Sequence, residues 1–115
     1  MPLPAYMTQN PEVTPLKALE NRLRRLGKNV SLIRQGCVVH IDGIAADSDG
    51  DDVDRAIGMA CQHADGYRLT LQARIPSVDA NVVPSFESRG FQIVAEADED
   101  DEQGAHYVLR RAAAA

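Results

Sequence analysis

The sequence predicts a mixed α/β domain with about five strands in one mixed sheet, helices on its faces, and the order α-β-β-α-β-α-β-β. Three observations predict it. Leu16, Leu19, Leu23 and Leu26 recur at helical spacing behind a Thr14-Pro15 start signal. Val53, Ala56, Ile57, Ala60, Cys61 and Ala64 follow the i, i+3, i+4, i+7, i+8 series of a longer amphipathic helix. Short β-branched runs bounded by Gly and Asp stand between and after these helices. A strand, a helix and a strand in succession make a parallel crossover, and the flanking strand pairs read as antiparallel hairpins.

Taken in order, residues 1–14 are a proline-rich arm, residues 15–111 a single domain and residues 112–115 a tail. In the first helix Lys17, Asn21, Arg24, Arg25 and Lys28 lie opposite the leucines, and Gly27 is the expected stop. NVSLIRQGCVVHIDGIA then reads as two strands turned at Gln35-Gly36. Gly43 falls inside the second, where glycine marks a bulge or a close backbone approach. The long helix runs from Asp51 to a stop at Gly66. YRLTLQAR is a strand, DANVVPSFESRG a short helix with Pro84 in or near its first turn and Gly90 as its stop. FQIVAEA and HYVLRR form the last pair, joined by the acidic run DEDDEQG, expected to be a connection without a ligand.

One hundred and fifteen residues at 44% hydrophobic suit one core without staples. Aromatic residues make up 4% and tryptophan is absent, so platforms for stacking bases are scarce. A net charge of −5 further disfavours a phosphate-backbone partner, although Lys17, Arg22, Arg24, Arg25 and Lys28 make a local basic cluster. Nucleic acid is therefore not the expected partner. Cys37 and Cys61 form no CxxC pair and read as small buried hydrophobes rather than zinc ligands. No stretch is long and apolar enough to span a bilayer and no signal peptide opens the chain; the expected compartment is the cytoplasm.

The stretch IAADSDGDDVDRAI and the later SFESRGF, in this order of elements, resemble the GNAT superfamily of acetyl-CoA-dependent N-acetyltransferases over residues 29–111. In that family the first landmark is a strand end, a basic or Gln residue, spaced glycines and a helix N-terminus that receives the coenzyme A pyrophosphate. The second is an aromatic, an acid and a Gly-Phe pair, here Phe86, Glu87, Gly90 and Phe91. The resemblance implies Gly43, Ile44, Gly50, Val53 and Arg55 as the cofactor-binding positions if acetyl-CoA binds.

The same resemblance exposes departures. Asp49 stands where the basic or Gln residue belongs, and Asp52 and Asp54 fall on the glycine positions. A carboxylate about 4 Å from a phosphate charge costs about 4 kcal/mol at a partly exposed site, roughly a thousandfold in affinity. Aspartates would then cap the helix in place of phosphate. Phe86 replaces the tyrosine that family members often use as general acid, and it has no proton to give. Asp79 stands where asparagine is frequent. The first strand and much of the helical region that build the family's acceptor site are also missing. These departures imply a catalytically degenerate GNAT-like module, without catalytic residues, cofactor or metal, acting by binding another protein or itself as a homodimer. The alternative is a minimal acetyl-CoA-dependent N-acyltransferase with Arg55 on the phosphates.

Two other constellations carry potential ligands or catalytic groups. D-S-D-G-D-D-V-D offers clustered oxygens, but counting from Asp47 gives Asp52 where a calcium loop needs glycine and Gly58 where it needs glutamate. His40, Asp42 and His106 could form a catalytic cluster; strand parity puts His40 and Asp42 on one face, which an ordinary strand surface explains equally well.

Overall fold

The computed structural model describes residues 14–26, 30–44, 50–102 and 104–114. The elements follow the predicted order: α1 (Pro15–Arg24), β1 (Ser31–Gln35), β2 (Val38–Asp42), α2 (Gly50–Tyr67), β3 (Thr70–Pro76), α3 (Val83–Glu87), β4 (Gln92–Ala97) and β5 (His106–Arg111). The five strands form one mixed sheet in the order β1-β2-β3-β5-β4. Among the described residues only the β2–β3 pair is parallel, with α2 as its crossover. The pairs β1–β2, β3–β5 and β4–β5 are antiparallel.

Burial alternates along the central strands. Val39, Ile41, Leu71, Ala73, Ile75 and Leu109 are buried, whereas His40, Asp42, Gln72, Arg74 and Val108 between them are half-buried. Against the buried face pack Leu19 and Leu23 of α1, the Val53–Ala56–Ile57–Ala60–Ala64 stripe of α2, and Phe86 of α3. α1 contacts β1 and α2, and α2 contacts β3 and α3, so the helices make one layer. Among the described residues no element covers the other face of the sheet.

Helix boundaries follow local chemistry. Thr14 caps α1, its hydroxyl accepting the Lys17 N–H at 3.1 Å, with Pro15 in the first turn. The expected stop at Gly27 lies outside the described residues. Gly66 is not the stop of α2: the helix runs on to Tyr67, and Arg68 takes the left-handed turn at φ 56°. The Leu69 N–H then reaches back to the Ala64 carbonyl at 2.9 Å, closing a Schellman turn over two buried side chains. That turn delays β3 to Thr70.

Two further boundaries differ from expectation. Gly43 lies just beyond β2 rather than within it, because its φ of 82° is incompatible with a strand. The predicted helix around DANVVPSFESRG is split into a 3₁₀ segment, Ser77–Val82, and α3, with Asp79 at a kink (φ −103°, ψ 20°). Pro84 does sit in the first turn of α3, and Gly90 at φ 96° ends the excursion. Residues 98–102 make a local turn in which the Asp98 carboxylate accepts the Asp100 N–H at 3.0 Å and the Asp98 carbonyl the Asp101 N–H at 3.1 Å.

Candidate functional site

The start of α2 is the first candidate. Ile44 is buried at its approach, while residues 45–49, including Asp47 and Asp49, lie outside the described residues. α2 begins at Gly50 with Asp51 and Asp52 in its first turn. Val53 points into the core with no exposed surface, so it could meet a ligand only through its backbone. Asp54 and Arg55 are exposed. Arg89, from the turn after α3, reaches Asp54 at 3.2 Å and lies across Gly58, where an added Cβ would stand 3.2 Å from its guanidinium. Gly58 thus lets an arginine lie flat on the helix. Arg55 has no ion pair among the described residues. Of the five candidate cofactor positions, Gly43 and Ile44 precede and Gly50 follows residues 45–49, Val53 is buried in the core and Arg55 is exposed.

The SFESRGF stretch has a packing role. Phe86 has no exposed surface and meets Phe91 edge to face, ring centroids 5.1 Å apart. Gly90, in the left-handed region, lets the Phe91 N–H return to the Phe86 carbonyl at 3.3 Å and bring the two rings together. A side chain so placed can neither donate a proton nor touch a bound molecule. Glu87 points to solvent.

The uncovered face of the sheet is the second candidate. A hollow of about 270 Å³ lies over β2, β3 and β5, lined by His40, Asp42, Gln72, Arg74, His106 and Val108. Asp42 and Arg74 pair at 2.9 Å across the two parallel strands. His106 is buried, and its Nδ1 donates to the Gly104 carbonyl at 2.8 Å. Strand parity does put His40 and Asp42 on this face, and His106 joins them. The register separates the two histidines, however: His40 is level with Gln72 and His106 with Pro76. Four residues of strand are about 13 Å, too far for a shared proton.

The cysteines divide. Cys61 is buried beside Arg89, Arg111 and Asp65, and burial pushes its thiol pKa up. Cys37 is exposed, contrary to the sequence expectation, because it belongs to the β1–β2 turn and its carbonyl accepts the Thr70 N–H at 2.8 Å. Among the described residues no group of three His, Cys, Asp or Glu side chains could hold a metal ion, and no helix is long and apolar enough to cross a membrane.

Three features escaped the sequence reading. Glu20 is buried, paired with Lys17 at 2.8 Å and Arg24 at 3.6 Å, and takes the Leu32 N–H at 2.9 Å. Its i−3 and i+4 cationic neighbours were a legible signal. Arg111 grips Asp65 with both terminal nitrogens, at 2.9 and 3.2 Å, which needs 46 residues of fold and has no local signature. His63 and Tyr67 stack at 4.7 Å, one turn apart on α2. Compared with known proteins, the chain matches no protein-family model, no curated protein and no solved structure at a significant level.

Proposed function

We propose that the chain is a catalytically degenerate, GNAT-like module that works in the cytoplasm by binding protein, a second copy of itself included. One observation carries the reading. The start of α2, where a coenzyme pyrophosphate would sit, carries Asp51 and Asp52, and Arg89, which lies along the helix at Gly58, is already held by Asp54. Negative charge at the positive end of a helix stabilises the helix and repels phosphate. The buried Phe86 agrees with it, since no hydroxyl serves a leaving thiolate there.

What the module binds with is its bare sheet face. Parallel strands are ordinarily covered on both sides, yet β2 and β3 are covered on one among the described residues. Their open side presents Arg74, Asp42 and His40 around the hollow, with Ile33 of β1 55% exposed beside His40. Homodimers pair such patches around a two-fold axis.

A second reading, a minimal acetyl-CoA-dependent N-acyltransferase, draws on the end of the parallel pair. The ladder stops at Ile41 and Ala73 while β3 continues to Pro76, so the parallel pair ends beside the Gly43 turn, and Arg55, without an ion pair among the described residues, would be the cation for the phosphates. Calorimetric titration with acetyl-CoA separates the two readings. The binding-module reading expects no heat of binding from the natural chain, and weak binding once Asp49→Arg, Asp52→Gly and Asp54→Gly are combined. Tight binding by the natural chain, with resonance shifts at Gly43 and Arg55, sinks it in favour of the acyltransferase. Light scattering over serial dilution tests self-association, and a charge reversal at Arg74 should weaken it.

A further inference from the structure

Away from both candidates, a groove of about 290 Å³ opens where the start of α1 meets the end of α2 beside β1. Pro15, Leu16 and the buried Leu69 form its apolar walls, and His63 and Tyr67 supply aromatic ones. Tyr67 is 54% exposed even with His63 stacked against it, so ring area remains for another partner. Burial and the nearby Arg22 and Arg34 hold the His63 pKa below the usual imidazole range, which keeps this wall neutral at physiological pH.

The rim is cationic. Arg34 lines the groove, and its Nε donates to the Gly36 carbonyl at 2.8 Å. That bond steadies the guanidinium and leaves both terminal nitrogens without a carboxylate among the described residues. Arg22 likewise has no ion pair there. Lys17, Arg24, Arg74, Arg89 and Arg111 are all paired with acids in the same structure. In a chain of net charge −5, Arg34 in the groove wall, without an acid partner among the described residues and with Arg22 close enough to act on His63, is complementary to an anion from outside. The groove is at the small end of ligand sites, large enough for a fused-ring body and too small for a folded partner.

We infer that this groove binds a small free carboxylate with a flat aromatic body. The ring lies against Tyr67 and Leu69, and the carboxylate meets the terminal nitrogens of Arg34 with Arg22 adding charge. The site is separate from the bare sheet face, so it stands whether or not that face binds protein.

The test is a nuclear magnetic resonance titration of the full chain with indole-3-acetate, with indole-3-acetamide as the uncharged counterpart and acetate as the ringless one. Indole-3-acetate should shift the His63 and Tyr67 ring signals saturably, with the amide and acetate at least about tenfold weaker. Arg34→Gln should lose about tenfold while the rest of the amide spectrum stays unchanged, and Tyr67→Ala should lose a similar factor. No saturable shift at His63 and Tyr67 at millimolar concentration overturns the inference. Equal binding of acid and amide overturns it too, as do contacts from Leu3 or Tyr6 of the same chain to the Tyr67 ring.

Discussion

The Glu20 carboxylate of α1 accepts the Leu32 amide N–H of β1 at 2.9 Å, across twelve residues of sequence. β1 is an outer strand, and Leu32 lies in it. Arg24 adds a second tie, its Nε donating to the Val30 carbonyl at 3.2 Å. The first helix therefore uses its own side chains to satisfy backbone groups that an outer strand would present to another chain.

Glu20→Ala should lower folding stability by about 1–3 kcal/mol, because it strands a buried N–H and leaves Lys17 and Arg24 without their acid. Glu20→Gln keeps an acceptor for Leu32 and should cost less. Urea unfolding measures both; hydrogen exchange at the Leu32 amide should accelerate in the alanine variant and much less in the glutamine one.

Acid should destabilise the chain in two steps. Lys17 and the Leu32 N–H hold Glu20 below its ordinary pKa of 4.5, and burial with Arg22 and Arg34 holds His63 below its ordinary 6.5. Both groups bind fewer protons folded than unfolded, so their contributions are complete above the unfolded values and fade as pH falls through the depressed ones. His63→Phe should flatten stability from neutral pH down through the histidine range, and Glu20→Gln should flatten it below 4.5. Urea midpoints against pH check this, and a midpoint that climbs on mild acidification contradicts it.

The end of α2 carries its glycine and its left-handed residue in each other's places. Gly66 sits inside the helix with open space where a Cβ would go, and Arg68 takes φ 56°. Gly66→Ala should stabilise by about 0.5–1 kcal/mol through helix propensity. Arg68→Gly should add about 1 kcal/mol by relieving the left-handed backbone. The two are near neighbours, so a double-variant cycle by thermal unfolding shows whether they add.

Phe86→Tyr restores the hydroxyl that an acetyltransferase resemblance calls for, in a place with no exposed surface. It should destabilise by about 1–3 kcal/mol for want of a partner and produce no acetyl-CoA turnover. Loss of stability in calorimetry together with silence in a thiol-release assay is the expected result. A stable variant that turns over acetyl-CoA would move Phe86 from the core to a site.

Periodicity made the element order legible, because buried stripes such as Val53–Ala56–Ile57–Ala60 repeat at a fixed spacing whatever the tertiary partners. Boundaries were less so. Gly66 looked like the stop of α2, but the turn formed where Leu69 could join the core, and burial outweighed the cost of a left-handed arginine. The candidate sites were legible only in part. Strand parity placed His40 with Asp42, yet the offset between β2 and β5 that parts His40 from His106 depends on pairing through β3, which no local spacing encodes. The groove between α1 and α2 joins residues about fifty positions apart and left no trace along the chain.

At the opposite margin of the sheet, β4 carries Ile93 and Val94 with 40% and 54% of their surface bare. Exposed aliphatic side chains on an outer strand invite pairing with another chain. Here the register shifts between Ile93 and Ala95, which leaves Val94 as the extra residue of a bulge. An incoming strand that matched Gln92 and Ile93 would lose step at Val94 and could not extend to Glu96. That single extra residue interrupts the run an incoming strand would need, and deletion of Val94 should lower the concentration at which copies begin to aggregate.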